Sequence, residues 1–256
     1  MPAFYEPLAD DLFRATEHTV GPWSPQHQHL GPPAALLTRA LEGTAPDVPS
    51  MLARITVEVL GPVPVGDLRV RAWRIRPGRS VSLVAGELSA DDRTVATASA
   101  WWIATGDTFE VVAGLPEPLP PVRSARLLTE LDWPGGYLHA MEWRSVKGQF
   151  GPRGPGTVWA RQRVALVDGE EPSGMQRLMA VADSGNGVSN RLDQSEWLFI
   201  NTELSVHAWK VPTGEWIGLD ANTTIGPDGI GVAASVLHDQ SGAIARGTQA
   251  LLIRPR

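Results

Sequence analysis

Hydrophobic and polar positions alternate through most of this chain, and a longer period interrupts them twice. In RITVEVL, Ile55, Val57 and Val59 alternate with Thr56 and Glu58, the pattern of a half-buried strand. Just before it, AALLTRALEG carries Leu36, Leu37, Ala40 and Leu41 at helical spacing. Pro32 and Pro33 open that run, where a missing N–H is harmless, and Gly43 suits its exit. A second helix is predicted in SGMQRLMAVADSGNG, ending in glycines, and the strand NTELSVHAW follows it.

Two segments share their punctuation. Residues 66–103 and 214–253 each read strand, Pro/Gly turn, strand, acidic turn, strand, and each closes on an isoleucine. The turns SADDRT and HDQSGA suit tight reversals, with Gly242 free to take positive φ. Val95, Thr97, Ser99, Trp101 and Ile103 form one alternating face, and Ile230, Val232, Ala234 and Val236 another. Each half therefore predicts one long helix followed by an antiparallel meander. The stretch GLPEPLPPV, residues 114–122, is too proline-rich for a helix or a central strand. It divides the chain into residues 1–113, a linker 114–122, and residues 123–256. A small sheet covered by one helix keeps an unpaired edge, and fusing two such units lets those edges pair within one molecule.

Composition narrows the chemistry. With 256 residues, 43% hydrophobic and 20% charged, the chain is an ordinary globular one. A net charge of −6 gives no electrostatic case for nucleic acid or an anionic membrane surface. There is no cysteine, which excludes disulfides, thiolate nucleophiles and zinc–thiolate sites. No apolar run reaches membrane-spanning length, and the opening MPAFYEPLADDLF lacks the pattern of a signal peptide, so the expected location is cytoplasmic. No Gly-x-Ser-x-Gly elbow and no Walker loop occur. GNGVSN at 185–190 lacks the third glycine of a dinucleotide fingerprint and follows a helix, not a strand. His27 and His29 lack a third ligand, so neither a metal nor any other cofactor is expected.

The string from Trp23 through Gln28–Glu42, with its QHLGPPAALLTRALE, resembles the first helix entry of thioesterase-like double hotdogs. The segment from Phe199 to Arg256 resembles the second hotdog of acyl-CoA thioesterase II enzymes. The resemblance implies an α+β double hotdog, two fused units that each wrap an antiparallel sheet around a long helix. It also implies hydrolysis of a fatty acyl-CoA, or an acyl-carrier substrate, by a positioned water. A homo-oligomer of such double units is a further expectation.

In that family a carboxylate, a hydroxyl and a carboxamide of the second hotdog hold the water. The carboxylate, six residues before the histidine that looks like His207, falls here on Asn201. The hydroxyl, eight after Trp216, falls on Thr224, and the carboxamide of the last strand on Gln249. An amide cannot act as a base at neutral pH. The nearest candidate base is therefore Asp183 at the end of the second helix, which resembles the helix-borne Asp of other hotdog thioesterases; Asp220 is a weaker option. At the helix entry HLGPP, Gly31 keeps an N–H that could meet a developing oxyanion, which makes Gly31 and His29 the substrate-binding candidates. Aligning the two halves sets Thr224 and Gln249 against the region of Arg76 and Ser99. Two other functions stay open: a non-catalytic acyl-thioester or lipid binder, and an enoyl-CoA hydratase, whose usual Asp/His pair at a helix start is missing.

Overall fold

The computed structural model describes residues 2–129, 131, 135–148 and 153–256. The first unit runs β1 (Ala3–Ala9), β2 (Leu12–Ala15), α1 (Gly31–Glu42), β3 (Ser50–Val59), β4 (Asp67–Arg76), β5 (Val81–Ala90) and β6 (Arg93–Ala104). The second runs β7 (Arg126–Leu127), α2 (Tyr137–Ala140), β8 (Met141–Lys147), β9 (Gly156–Gln162), β10 (Ala165–Val167) and α3 (Gly174–Ala182). It ends with α4 (Gly185–Val188), β11 (Trp197–Asn201), β12 (Glu203–Ala208), β13 (Ile217–Ile225), β14 (Ile230–Asp239) and β15 (Gly242–Pro255). Among the described residues these strands form one continuous sheet, antiparallel except where β1 pairs parallel with β10.

The two units meet edge to edge through β3 and β12, where Thr56 lies opposite Ser205 and their hydroxyls are 3.0 Å apart. These two residues are each other's counterparts: Thr56 is opposite Ser99 of β6 as Ser205 is opposite Thr248 of β15. An approximate twofold axis therefore passes between them. The duplication extends to an irregularity. Leu88 faces Ala96 and the next pair skips Val95; Leu237 faces Ala245 and a pair skips Ile244. On this register Gln249 matches Ala100 and not Ser99, since Val84 faces Ala100 as Ala233 faces Gln249.

In β3 the large residues Ile55 and Val57 are buried as their alternation predicts, whereas in β6 and β14 the buried face is largely the reverse of the one the large residues suggest. Ala96, Ala98 and Ala100 are buried in β6, and Ala233 and Leu237 in β14, whereas Ile103, Ile230 and Val232 are exposed. Alanines and larger apolar residues share the inner face, and α1 and α3 pack against each other in antiparallel contact over it. Gly31 at the start of α1 touches the end of α3, and Glu42 at the end of α1 accepts hydrogen bonds from Ser173 (2.6 Å) and Gln176 (2.6 Å) at the start of α3. The arrangement is the double hotdog that the sequence resemblance implies.

Candidate active site

Asp183 follows the last residue of α3, with helical backbone angles, and is buried. A carboxylate at the negative end of a helix, out of water, is disfavoured unless donors surround it. The sequence supplies them from strands far along the chain. Asn201 Nδ2 donates to Asp183 Oδ1 at 2.9 Å, and Gln249 Nε2 donates to the same oxygen at 3.0 Å. Asn201 is held at the end of β11 by a break in the strand at Thr202, whose N–H bonds Ala250 O while Glu203 Oε1 accepts the Ala250 N–H.

Gln249 is fully committed. Its Nε2 also donates to Asp183 O (3.0 Å), and its Oε1 accepts the Asn186 N–H at the start of α4 (3.0 Å). A Cβ at residue 185 would lie 2.9 Å from Gln249 Oε1 and 2.8 Å from Ser235 Oγ, so only glycine lets α4 approach this closely. Gln249 thus holds the carboxylate rather than a water. Truncating it to alanine leaves the Asn186 N–H and one acceptor of Asp183 unpaired. The expected cost is about 1–3 kcal/mol in chemical unfolding, together with a fall in turnover.

His29 arrives from the opposite unit. The loop carrying it is pinned by His29 N–H to Thr19 O (2.8 Å) and by Gln28, which binds Tyr5 OH (2.7 Å) and Pro64 O (2.6 Å). Its Nδ1 lies 3.0 Å from Asp183 Oδ2, with the Gly31 N–H at 3.0 Å from the same nitrogen. The imidazole stacks on Tyr137, centroids 3.9 Å apart and planes 14° apart, and Tyr137 OH donates to Ala180 O at 2.7 Å. Burial pushes the Asp183 carboxyl up from its ordinary value, opposed by His29 and by the Asn201, Gln249 and Gly31 donors. Burial pushes His29 down, opposed by the Asp183 charge.

Three expectations change here. Gly31 is not among the residues that line the cavity: a Cβ there would run into Ala180 O, the mark of close helix contact, and its N–H is directed at His29 Nδ1, 3.0 Å away, rather than into the cavity. Thr224 is exposed on the outer face of β13, one residue out of phase, while Thr223 points inward and its Oγ1 meets Ser189 Oγ at 2.7 Å. Thr223, Ala233 and Gln249 stand in one row across three strands, so the Cα atoms of Thr223 and Gln249 are about 10 Å apart; the hydroxyl is engaged with Ser189 and the carboxamide with Asp183 and Asn186. Asp220 is also exposed, accepting from Thr157 Oγ1 at 2.7 Å. Tyr137 and the Asn186 N–H were not singled out by the sequence, and nothing in their local pattern marks them.

Asp183, His29 and Asn201 lie on the wall of a cavity of about 720 Å³ between the two units. Trp23, Leu60, Val63, Leu138, Phe199 and Ile200 form its apolar walls, and Trp23 meets Phe199 edge-on at 5.3 Å. Trp101, Trp102 and Trp216 are not part of this lining, and Trp216 is covered by Arg161 and Arg144. Arg153 and Asp193, 3.3 Å apart, also border the cavity.

Fold and cleft together define a double-hotdog protein with a buried carboxylate at its inter-unit cavity. The acyl-CoA thioesterase N-terminal domain matches residues 19–103 and the acyl-CoA thioesterase C-terminal domain matches residues 116–253, so the chain belongs to the acyl-CoA thioesterase family. Its fold is similar to that of a hot dog fold protein of unknown function from Alicyclobacillus acidocaldarius, with TM-score 0.76 and 16% identity over 97% of this chain and 95% of that one. It is also similar to the tesB protein of Mycobacterium avium subs paratuberculosis, with TM-score 0.70 and 14% identity over 98% and 96%. Acyl-CoA thioesterase II TesB2 from Mycobacterium marinum superposes with TM-score 0.65 at 14% identity over 98% and 95%. No curated protein matches the sequence.

Proposed function

We propose that the protein hydrolyses a fatty acyl-CoA to the free acid and coenzyme A, using a water activated at the Asp183–His29 pair. The observation that carries this reading is a buried, donor-surrounded carboxylate paired with a histidine at the wall of an apolar cavity. A volume of about 720 Å³ lies within the usual range of small-molecule sites, roughly 300–1,000 Å³. The acyl chain lies along Trp23 and Phe199, and the thioester carbon sits near His29. The division at residues 114–122, the cytoplasmic location and assembly into homo-oligomers belong to the same reading. No helix among the described residues is long and apolar enough to cross a membrane. A second reading, binding without cleavage, draws on the full engagement of Asp183 by protein donors.

Release of coenzyme A across a series of acyl chain lengths separates the two. The absence of cysteine makes a thiol-reactive dye report on product alone. Trp23→Ala removes a wall of the cavity and is expected to move the preferred chain length upward. An unchanged length profile would place the acyl chain elsewhere.

A further inference from the structure

Asp183 cannot accept a proton from water without losing a partner. A carboxylate offers about four acceptor positions. Oδ1 takes N–H groups from Asn201 and Gln249, Oδ2 lies 3.0 Å from His29 Nδ1, and the Gly31 N–H is shared between that nitrogen (3.0 Å) and the carboxylate. The one nitrogen of this cluster left open is His29 Nε2. It makes no hydrogen bond within the described chain and is not a buried orphan, so it opens to the cavity that the ring lines.

We propose that His29, through Nε2, is the general base of thioester hydrolysis, and that Asp183 is the positioning residue that fixes its tautomer. This rests on the thioesterase reading above. The Gly31 N–H reaches both Nδ1 (3.0 Å) and the Asp183 carboxylate. With the ring proton on Nδ1 it donates to the carboxylate, Asp183 accepts the Nδ1–H, and the Nε2 lone pair is left bare. The Tyr137 stack and the pinned Gln28–His29 loop fix the ring plane. This is the division of labour of a carboxylate–histidine pair. As the water oxygen bonds to the acyl carbon, its proton passes to Nε2. When the C–S bond breaks, the same proton passes to the departing sulfur, giving acid and free thiol.

The groups facing the imidazole are Asp183 from the end of α3, Tyr137 from α2 and the Gly31 N–H from α1. His27, Arg153 and Asp193 also line the cavity. Burial holds the Tyr137 phenol protonated, so the pair that titrates is Asp183–His29. Uptake of a second proton by that pair blocks Nε2. Activity therefore falls on acidification, between the ordinary ranges of a free aspartate and a free histidine, because burial raises Asp183 and lowers His29.

The test measures coenzyme A release against pH for the native protein, His29→Gln and His29→Ala with and without imidazole. His29→Gln is expected to lower kcat by about 100- to 10,000-fold with KM nearly unchanged, and its residual rate should lose the acid limb. Imidazole should restore His29→Ala in proportion to its unprotonated form. Independently of any variant, 15N-histidine spectra of the native protein at pH 8 should show Nδ1 protonated and Nε2 bare at His29. A His29→Gln rate within threefold of native, a persistent acid limb in that variant, or the opposite tautomer would each overturn the proposal. A native protein that releases no thiol from any acyl-CoA would overturn the thioesterase reading, and the base assignment with it.

Discussion

Asp183→Asn should lower coenzyme A release by about 100- to 10,000-fold while leaving the protein folded. The amide oxygen of the variant can keep the Oδ1 position, accepting from Asn201 and Gln249. Its NH₂ then faces His29 Nδ1, 3.0 Å away in the native protein. A donor there forces Nδ1 to accept, which moves the ring proton to Nε2 and removes the lone pair that faces the cavity. Substrate contacts are untouched, so the loss should fall on kcat and not KM. Stability should hold or rise. Burial raises the Asp183 pKa, which means the ionised form is the one the fold penalises, and the variant removes that charge at neutral pH. Circular dichroism melting and thiol release on the same sample check both halves.

Asn201→Asp carries the second large effect, and its sign is instructive. The family resemblance places a carboxylate at this position, so on sequence alone the substitution should restore a missing base. In the structure Asn201 Nδ2 is a donor 2.9 Å from Asp183 Oδ1. A carboxylate there would put two like charges in one buried site, where one must take a proton. At neutral pH the expected result is a fall of about 10-fold or more, with activity recovering toward alkaline pH as the shared proton leaves. A rate above the native one would show that Asn201 faces the water and that the native enzyme is weakened there. In this protein the carboxylate stands at the helix end, and the amide on the strand is its donor.

Much of the fold was legible because its determinants are local. Pro32 and Pro33 stand in the first turn of α1, and Asp91 and Asp92 take the left-handed φ values, 47° and 58°, of a two-residue reversal. The shared punctuation of the two halves reflects a duplication that reaches down to the same skipped residue in each hairpin. The buried face was legible in β3, where Ile55 and Val57 are buried, but not in β6 and β14, where Ala96, Ala98, Ala100 and Ala233 point inward and Ile103, Ile230 and Val232 lie outside. The resemblance's count of eight residues after Trp216 falls on Thr224, and an offset of one residue in a strand reverses the side chain, so Thr223 is the hydroxyl that points inward. Asp183 was legible as a carboxylate at a helix end, and Gln249 as a polar residue in an apolar strand. Their contact, and the arrival of His29 from the other unit, are tertiary facts with no local signature.

The central claim is that this cavity cleaves thioesters through the Asp183–His29 pair. The most direct measurement is coenzyme A release by the native protein and by Asp183→Asn over a ladder of acyl-CoA chain lengths. The account predicts turnover by the native protein at one or more lengths and loss of about 100-fold or more in the variant at those same lengths. Equal rates from both proteins would contradict it.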